Sequence, residues 1–131
     1  MKHRLSFGYY NLLANNIVEV TADEGIEISL EMVEESIEFI NQYVEGNYAM
    51  LVNCINNYTY SYEAQLSVAS HENLKGVAFV YYSAKSEETT KELQRNRSFD
   101  QWNYPMFSGL ELGWQQAHQW LESELLAVQV S

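Results

Sequence analysis

The stretch Tyr48–Ile55, YAMLVNCI, is a nearly unbroken apolar run. Successive side chains of a strand point to opposite faces, so a run of this kind belongs to a strand with neither face in water. Leu74–Tyr82, LKGVAFVYY, repeats the pattern. Between and around the two runs the apolar period becomes helical. Buried strands separated by helices need right-handed crossovers, which lay helices over the faces of a mainly parallel sheet. The two runs therefore restrict the chain to the α/β class.

Leu5, Phe7 and Tyr9 alternate with Ser6, Gly8 and Tyr10, the period of a half-buried strand. Asn15-Asn16 supplies a turn, and β-branched Ile17, Val18, Val20 and Thr21 predict a second strand, making an opening hairpin. Leu30, Val33, Ile37, Ile40 and Val44 then recur at steps of three and four. Glu31, Glu34, Glu35 and Glu38 take the other faces of that helix. Ser29 is its predicted N-cap, and Gly46 its stop. A second helix is predicted from Thr59 or Ser61, carrying Ala64, Leu66, Val68 and Ala69 inward to about His71. Ser86 is the expected cap of a third, with Glu87 and Glu88 in its first turn and Leu93 pointing inward. Thr89 and Thr90 weaken that helix. Arg97–Asn103 reads as a loop, and Tyr104-Pro105-Met106-Phe107 as an edge strand, where proline is tolerated. Ser108 and Glu111 spell a capping box for a last helix with Leu110, Trp114, Ala117, Leu121 and Leu125 on its inner stripe and Trp120 beside it. The order β-β-α-β-α-β-α-β-α gives one domain over residues 1–131: a mainly parallel five-stranded sheet covered by four helices.

Eighteen Asp and Glu against seven Lys and Arg leave a formal net charge of −11, which repels phosphate backbones and anionic lipid. The one basic cluster, Lys91, Arg95 and Arg97, is diluted by Glu92 and Asp100, so nucleic acid is excluded as a partner. No run approaches the roughly 18 apolar residues of a transmembrane helix. The basic start Met1-Lys2-His3-Arg4 leads into Gly8, Tyr9, Tyr10 and Asn11, unlike a signal peptide. A single cysteine, Cys54, makes no intramolecular disulfide; the expected compartment is the cytoplasm. Cys54 reads as a buried structural thiol. His118 and Glu122 stand one helical turn apart, a spacing better explained by a surface contact than by a metal. Nucleophile-elbow and phosphate-cradling glycine motifs are absent, and the carboxylates read as solvated helix faces. The expectation is a non-enzymatic protein without cofactor or metal.

Ten tyrosines are the unusual content. The polar turn after the first apolar run, Asn56-Asn57-Tyr58-Thr59-Tyr60-Ser61-Tyr62, sits where open α/β sheets place ligand or regulatory sites, at the carboxyl end of a central strand. Tyr81 and Tyr82 close the second run. Adjacent strand ends would bring Tyr58, Tyr60, Tyr62, Tyr81 and Tyr82 around one cleft, whose aromatic walls and hydroxyl tips suit an amphipathic ligand or a protein partner.

The element order and the closing segment Met106-Phe107-Ser108-(x8)-Ala117-(x2)-Trp120-Leu121 resemble the STAS-like (SpoIIAA-like) domains, in particular the small bacterial STAS/SEC14-like branch. That resemblance implies a non-catalytic interaction or regulatory module with its contact site at Asn56–Tyr62. Members that act on anti-sigma factors carry a phosphorylatable serine after the third strand, in a D-S-[ST]-G context. Thr59 and Ser61 stand in that region here, without the Asp and Gly. The alternative implied by the branch is a carrier or sensor of a small apolar or lipid-like ligand in the tyrosine-lined cleft. A first strand at the sheet edge also allows pairing into a homodimer.

Overall fold

The computed structural model describes residues 2–68, 71–96 and 105–130. Its elements run β1 (Lys2–Leu5), β2 (Gly8–Leu12), β3 (Ile17–Ala22), β4 (Glu27–Ile28), α1 (Leu30–Tyr43), β5 (Tyr48–Cys54), β6 (Thr59–Tyr60), α2 (Tyr62–Ser67), β7 (Leu74–Tyr81), α3 (Ala84–Asn96), β8 (Met106–Ser108) and α4 (Gly113–Val130). The main sheet has the order β1-β2-β3-β5-β7-β8; its first three strands are antiparallel, and the pairings from β3 to β8 are parallel. β4 and β6 form a separate two-stranded parallel ribbon. The fold is thus α/β with a mainly parallel mixed sheet and four helices.

Six strands replace the expected five because the opening alternation is broken. Ser6 and Phe7 make a two-residue turn, so Leu5 pairs with Gly8 and the stretch becomes two strands. The break reverses the phase: Phe7 and Tyr10 are buried, whereas Tyr9 faces out beneath the cations of Lys2 and Arg4. Gly8 is needed there, since a Cβ would lie 2.3 Å from the Thr21 carbonyl oxygen. Asn15 and Asn16 both adopt the left-handed conformation, as the turn before β3 requires.

β5 shows why its run is apolar on both faces. Tyr48, Val52 and Cys54 belong to a core that α1, α2 and α3 close through Val33, Ile40, Ala64 and Leu93. Ala49 and Leu51 belong to the opposite core, with Ile17, Ala78 and Val80 under Ala117, Leu121 and Leu125 of α4. Small residues in the centre of this face let α4 settle closely; a Cβ on Gly76 would already stand 3.4 Å from Leu121 Cδ2. The first turn of α4 is also latched to the sheet. Glu19 of β3 accepts from Trp114 Nε1 at 2.8 Å, Asn53 Nδ2 at 3.1 Å and Asn11 Nδ2 at 3.2 Å. His118 stacks on Trp114 and approaches Glu122 at 3.4 Å, the expected contact along one helix face.

Helix starts follow local chemistry, with two corrections. Ser29 Oγ accepts from Met32 N, and Gly46 turns the chain at φ 75° after α1 has ended. Ser61, not Thr59, caps α2, its Oγ accepting from Ala64 N at 3.2 Å; the helix stops at Ser67, short of His71. α3 starts earlier than expected, and Ser83 caps it. Ser83 Oγ accepts from Ser86 N, while Ser86 is buried inside the first turn and accepts from the amides of Tyr82 and Ser83. Lys91 and Arg95, the described members of the basic cluster, pair with Glu87 and Glu88. The Ser108 capping box does not form. Gly109–Glu111 make a 3-10 turn, Leu112 takes φ 64°, and α4 begins only at Gly113. The chain doubles back so tightly that a Cβ on Gly113 would lie 2.2 Å from the Ser108 oxygen. Leu110 is therefore 78% exposed and outside the stripe it was expected to lead. Ala69, the loop Arg97–Asn103, and Tyr104 of the expected edge strand lie outside the described residues. Among the described residues no helix is long and apolar enough to cross a membrane.

Candidate functional site: a tyrosine-lined cavity

The turn after β5 is not a free loop. Asn56 Nδ2 donates to the Ala22 oxygen at 2.9 Å, and Asn57 N donates to Glu24 Oε2 at 2.7 Å. Gly25 N donates to Asn57 O at 2.7 Å, Thr59 N to Ile26 O at 3.0 Å, and Ser61 N to Ile28 O at 2.9 Å. The loops leaving β3 and β5 are thereby zipped into one strap across the carboxyl ends of those strands, with the β4–β6 ribbon at its centre. An extended chain alternates its side chains. Thr59 accordingly faces out, while Tyr58 and Tyr60 turn in toward the sheet.

Beneath the strap is a cavity of about 60 Å³, between the sheet face and α1. Its floor comes from Tyr10 of β2, Val20 and Ala22 of β3, and Tyr48, Met50 and Val52 of β5. Val33, Ser36 and Ile37 of α1 form one wall, Ile28, Tyr58 and Tyr60 the roof, and Val68, His71 and Leu74 the far side. The lining is apolar carbon with phenol, hydroxyl and imidazole groups set into it, and among the described residues it holds no carboxylate, ammonium or guanidinium.

Several of the polar groups are hydrogen-bonded. Tyr48 Oη lies 2.8 Å from His71 Nδ1. Tyr58 Oη lies 3.4 Å from Tyr60 Oη and 3.5 Å from Cys54 Sγ, a chain of three weak donors running from the core to the cavity. Burial disfavours the phenolate, so the pKa of Tyr48 is pushed up to about 12 and those of Tyr10, Tyr58 and Tyr60 are raised further. All four hydroxyls therefore keep their protons at neutral pH. Burial also raises the Cys54 thiol, which is inert packing rather than a nucleophile.

The residues expected to share one cleft are separated. Tyr58 and Tyr60 line the cavity, with Asn56 and Asn57 tying down its roof and Ser61 spent as a helix cap. Tyr62 stands 66% exposed on the outer surface. Tyr82 packs in the opposite core, its ring against Gly109, and Tyr81, the register partner of Cys54 and Ser108, is not among the cavity residues. Strand neighbours point to opposite faces, so Tyr81 and Tyr82 were never able to serve one wall together. The cavity instead recruits Tyr10, Tyr48, Ser36 and His71. A polar serine among Val33, Ile37 and Ile40 on the inner stripe of α1 was the available signal for Ser36. Among the described residues no group of three His, Cys, Asp or Glu side chains is placed to hold a metal.

Comparison of the chain with protein-family models, curated proteins and solved structures finds no significant match.

Proposed function

We propose that this protein is a ligand-responsive regulatory module that takes a small, mostly apolar molecule into the tyrosine-lined cavity and reports its presence through the strap. The observation that carries this reading is the roof: the same loop that contributes Tyr58 and Tyr60 to the cavity presents Thr59 and Tyr62 to solvent. An occupant that moves Tyr60 moves the outer face of a segment held by only a few backbone hydrogen bonds, the kind of local element whose equilibrium a ligand can bias. The two roles expected for this region, partner contact and ligand binding, then belong to the outer and inner sides of one strap. No catalytic step enters this reading.

Membership of the STAS-like family is part of the same proposal. It is supported by the alternation of parallel strands with helices and by the closing segment, in which Ala117 and Leu121 form the buried face of α4. A six-stranded sheet and the β4–β6 ribbon depart from the five-stranded expectation.

Native mass spectrometry of the chain purified from the cells that make it tests the binding half. A discrete adduct on the 15.2 kDa chain is expected, and its loss on cavity-filling substitution. Bare chain alone, from every growth condition, counts against the proposal.

A further inference from the structure

The donor arrangement around the cavity narrows the chemistry of the occupant, on the footing of the ligand reading above. A phenol has one proton to give. Tyr10 lines the cavity, and no hydrogen bond among the described residues takes its hydroxyl proton. The chain from Cys54 through Tyr58 to Tyr60 has the same property. Directed outward from Cys54, its two links use the thiol proton and the Tyr58 proton, and the Tyr60 proton is left over. Its alternative orientation spends the thiol proton on the Val52 carbonyl, at a long 3.7 Å, so turning the chain outward gives up little. Tyr10 and Tyr60 both line the cavity. Two O–H donors thus line one space whose described lining includes no carboxylate, ammonium or guanidinium.

We infer that the cavity recognises an uncharged molecule through a hydrogen-bond-accepting oxygen, such as a ketone, ester or amide carbonyl, seated between the hydroxyls of Tyr10 and Tyr60. A carboxylate or ammonium group would be stripped of water with no carboxylate, ammonium or guanidinium in the described lining to meet it, a cost that phenols do not offset. A pure hydrocarbon would fill the space but leave both protons unspent. Size limits the seat further. An apolar cavity of about 150 Å³ holds benzene, so the 60 Å³ here admits the oxygen-bearing end of a molecule, with the remainder directed to the mouth. Half-buried Ser36, Ile37, Val68, His71 and Leu74 border that mouth.

The test is an NMR titration of the full chain with four probes of similar length: pentan-2-one, pentane, pentanoate and pentylamine. Shifts of cavity residues such as Val20, Val52 and Val68 report occupancy. Pentan-2-one is expected to bind about tenfold more tightly than pentane, the gain from hydrogen bonds of ordinary strength, and more tightly than either ion. Tyr60→Phe and Tyr10→Phe keep the ring and delete the donor. Each is expected to narrow the ketone–alkane gap while leaving pentane affinity unchanged, which also certifies that the variant is folded. Equal binding of ketone and alkane overturns the inference but leaves the cavity a ligand site. Pentanoate or pentylamine matching the ketone overturns its neutrality. No cavity shift with any probe overturns the inference and the ligand reading together.

Discussion

Replacing Val20 by isoleucine adds one methylene where β3 meets the cavity. If the space is a true void, its cost follows from its volume: at roughly 24 cal/mol per Å³, 60 Å³ amounts to about 1.4 kcal/mol. That figure is a ceiling on what filling can recover. A single buried methylene contributes about 0.8 kcal/mol, so Val20→Ile is expected to stabilise the chain by roughly half of that ceiling, raising Tm by about 3 °C. Urea unfolding followed by circular dichroism measures this, with an unchanged m-value showing that the unfolded state is not the source. The same variant is expected to lose most of its affinity for pentan-2-one, because added carbon and ligand compete for one space. Most substitutions destabilise, so a gain in stability coupled to a loss of binding is a distinctive pair. Destabilisation by more than about 1 kcal/mol, the signature of overpacking, would mean that Val20 already touches its neighbours and that the cavity does not exist in solution.

Gly8→Ala pushes a Cβ into the Thr21 carbonyl oxygen and the Ala22 Cα; because both are backbone atoms, a loss of about 1–3 kcal/mol is expected, and an unchanged urea midpoint would contradict the packing of β2 on β3. Ser61→Ala removes the cap of α2 and is expected to cost about 1 kcal/mol, with faster amide exchange at Ala64; unaltered exchange would show that the cap is idle. Alkaline titration carries a definite sign. Tyr10, Tyr48, Tyr58 and Tyr60 hold their protons more tightly folded than unfolded, so their stabilisation is complete below the ordinary tyrosine pKa of 10.0 and is lost as pH rises through about 12 for Tyr48 and beyond for the others. Phenolate absorbance is expected to appear in two phases, the second coinciding with unfolding by circular dichroism; a single phase near pH 10 with the fold intact would refute the burial of these four.

The central architecture was readable because burial on both faces leaves a plain mark: β5 and β7 are apolar without alternation, and Ser29 with the stripe from Val33 to Ile40 marks α1 directly. The cavity was half readable. Tyr58 and Tyr60 stood out in composition and place, but which way they turn is set by the pairing of β4 with β6, two-residue strands with no periodicity of their own. Tyr10 was hidden by the Ser6–Phe7 turn, where apolar Phe7 preserves an apparent alternation across a reversal of the chain. Tyr48 looked like any residue at the start of a buried strand; its role depends on His71, which reaches it from another part of the chain. The delayed start of α4 was illegible for a different reason. Ser108 and Glu111 carry the right groups, yet the closeness of Gly113 to Ser108 and of Gly109 to Tyr82 decides the local path, and such steric limits leave no trace beyond two glycines.

The most direct test is a high-resolution crystal structure of the chain purified from its native cells. Continuous non-protein density in the cavity, with an oxygen within hydrogen-bond distance of Tyr10 Oη and Tyr60 Oη and the strap closed above it, is the expected result. A space collapsed onto its side chains, or holding only discrete waters bonded to those hydroxyls, would contradict it.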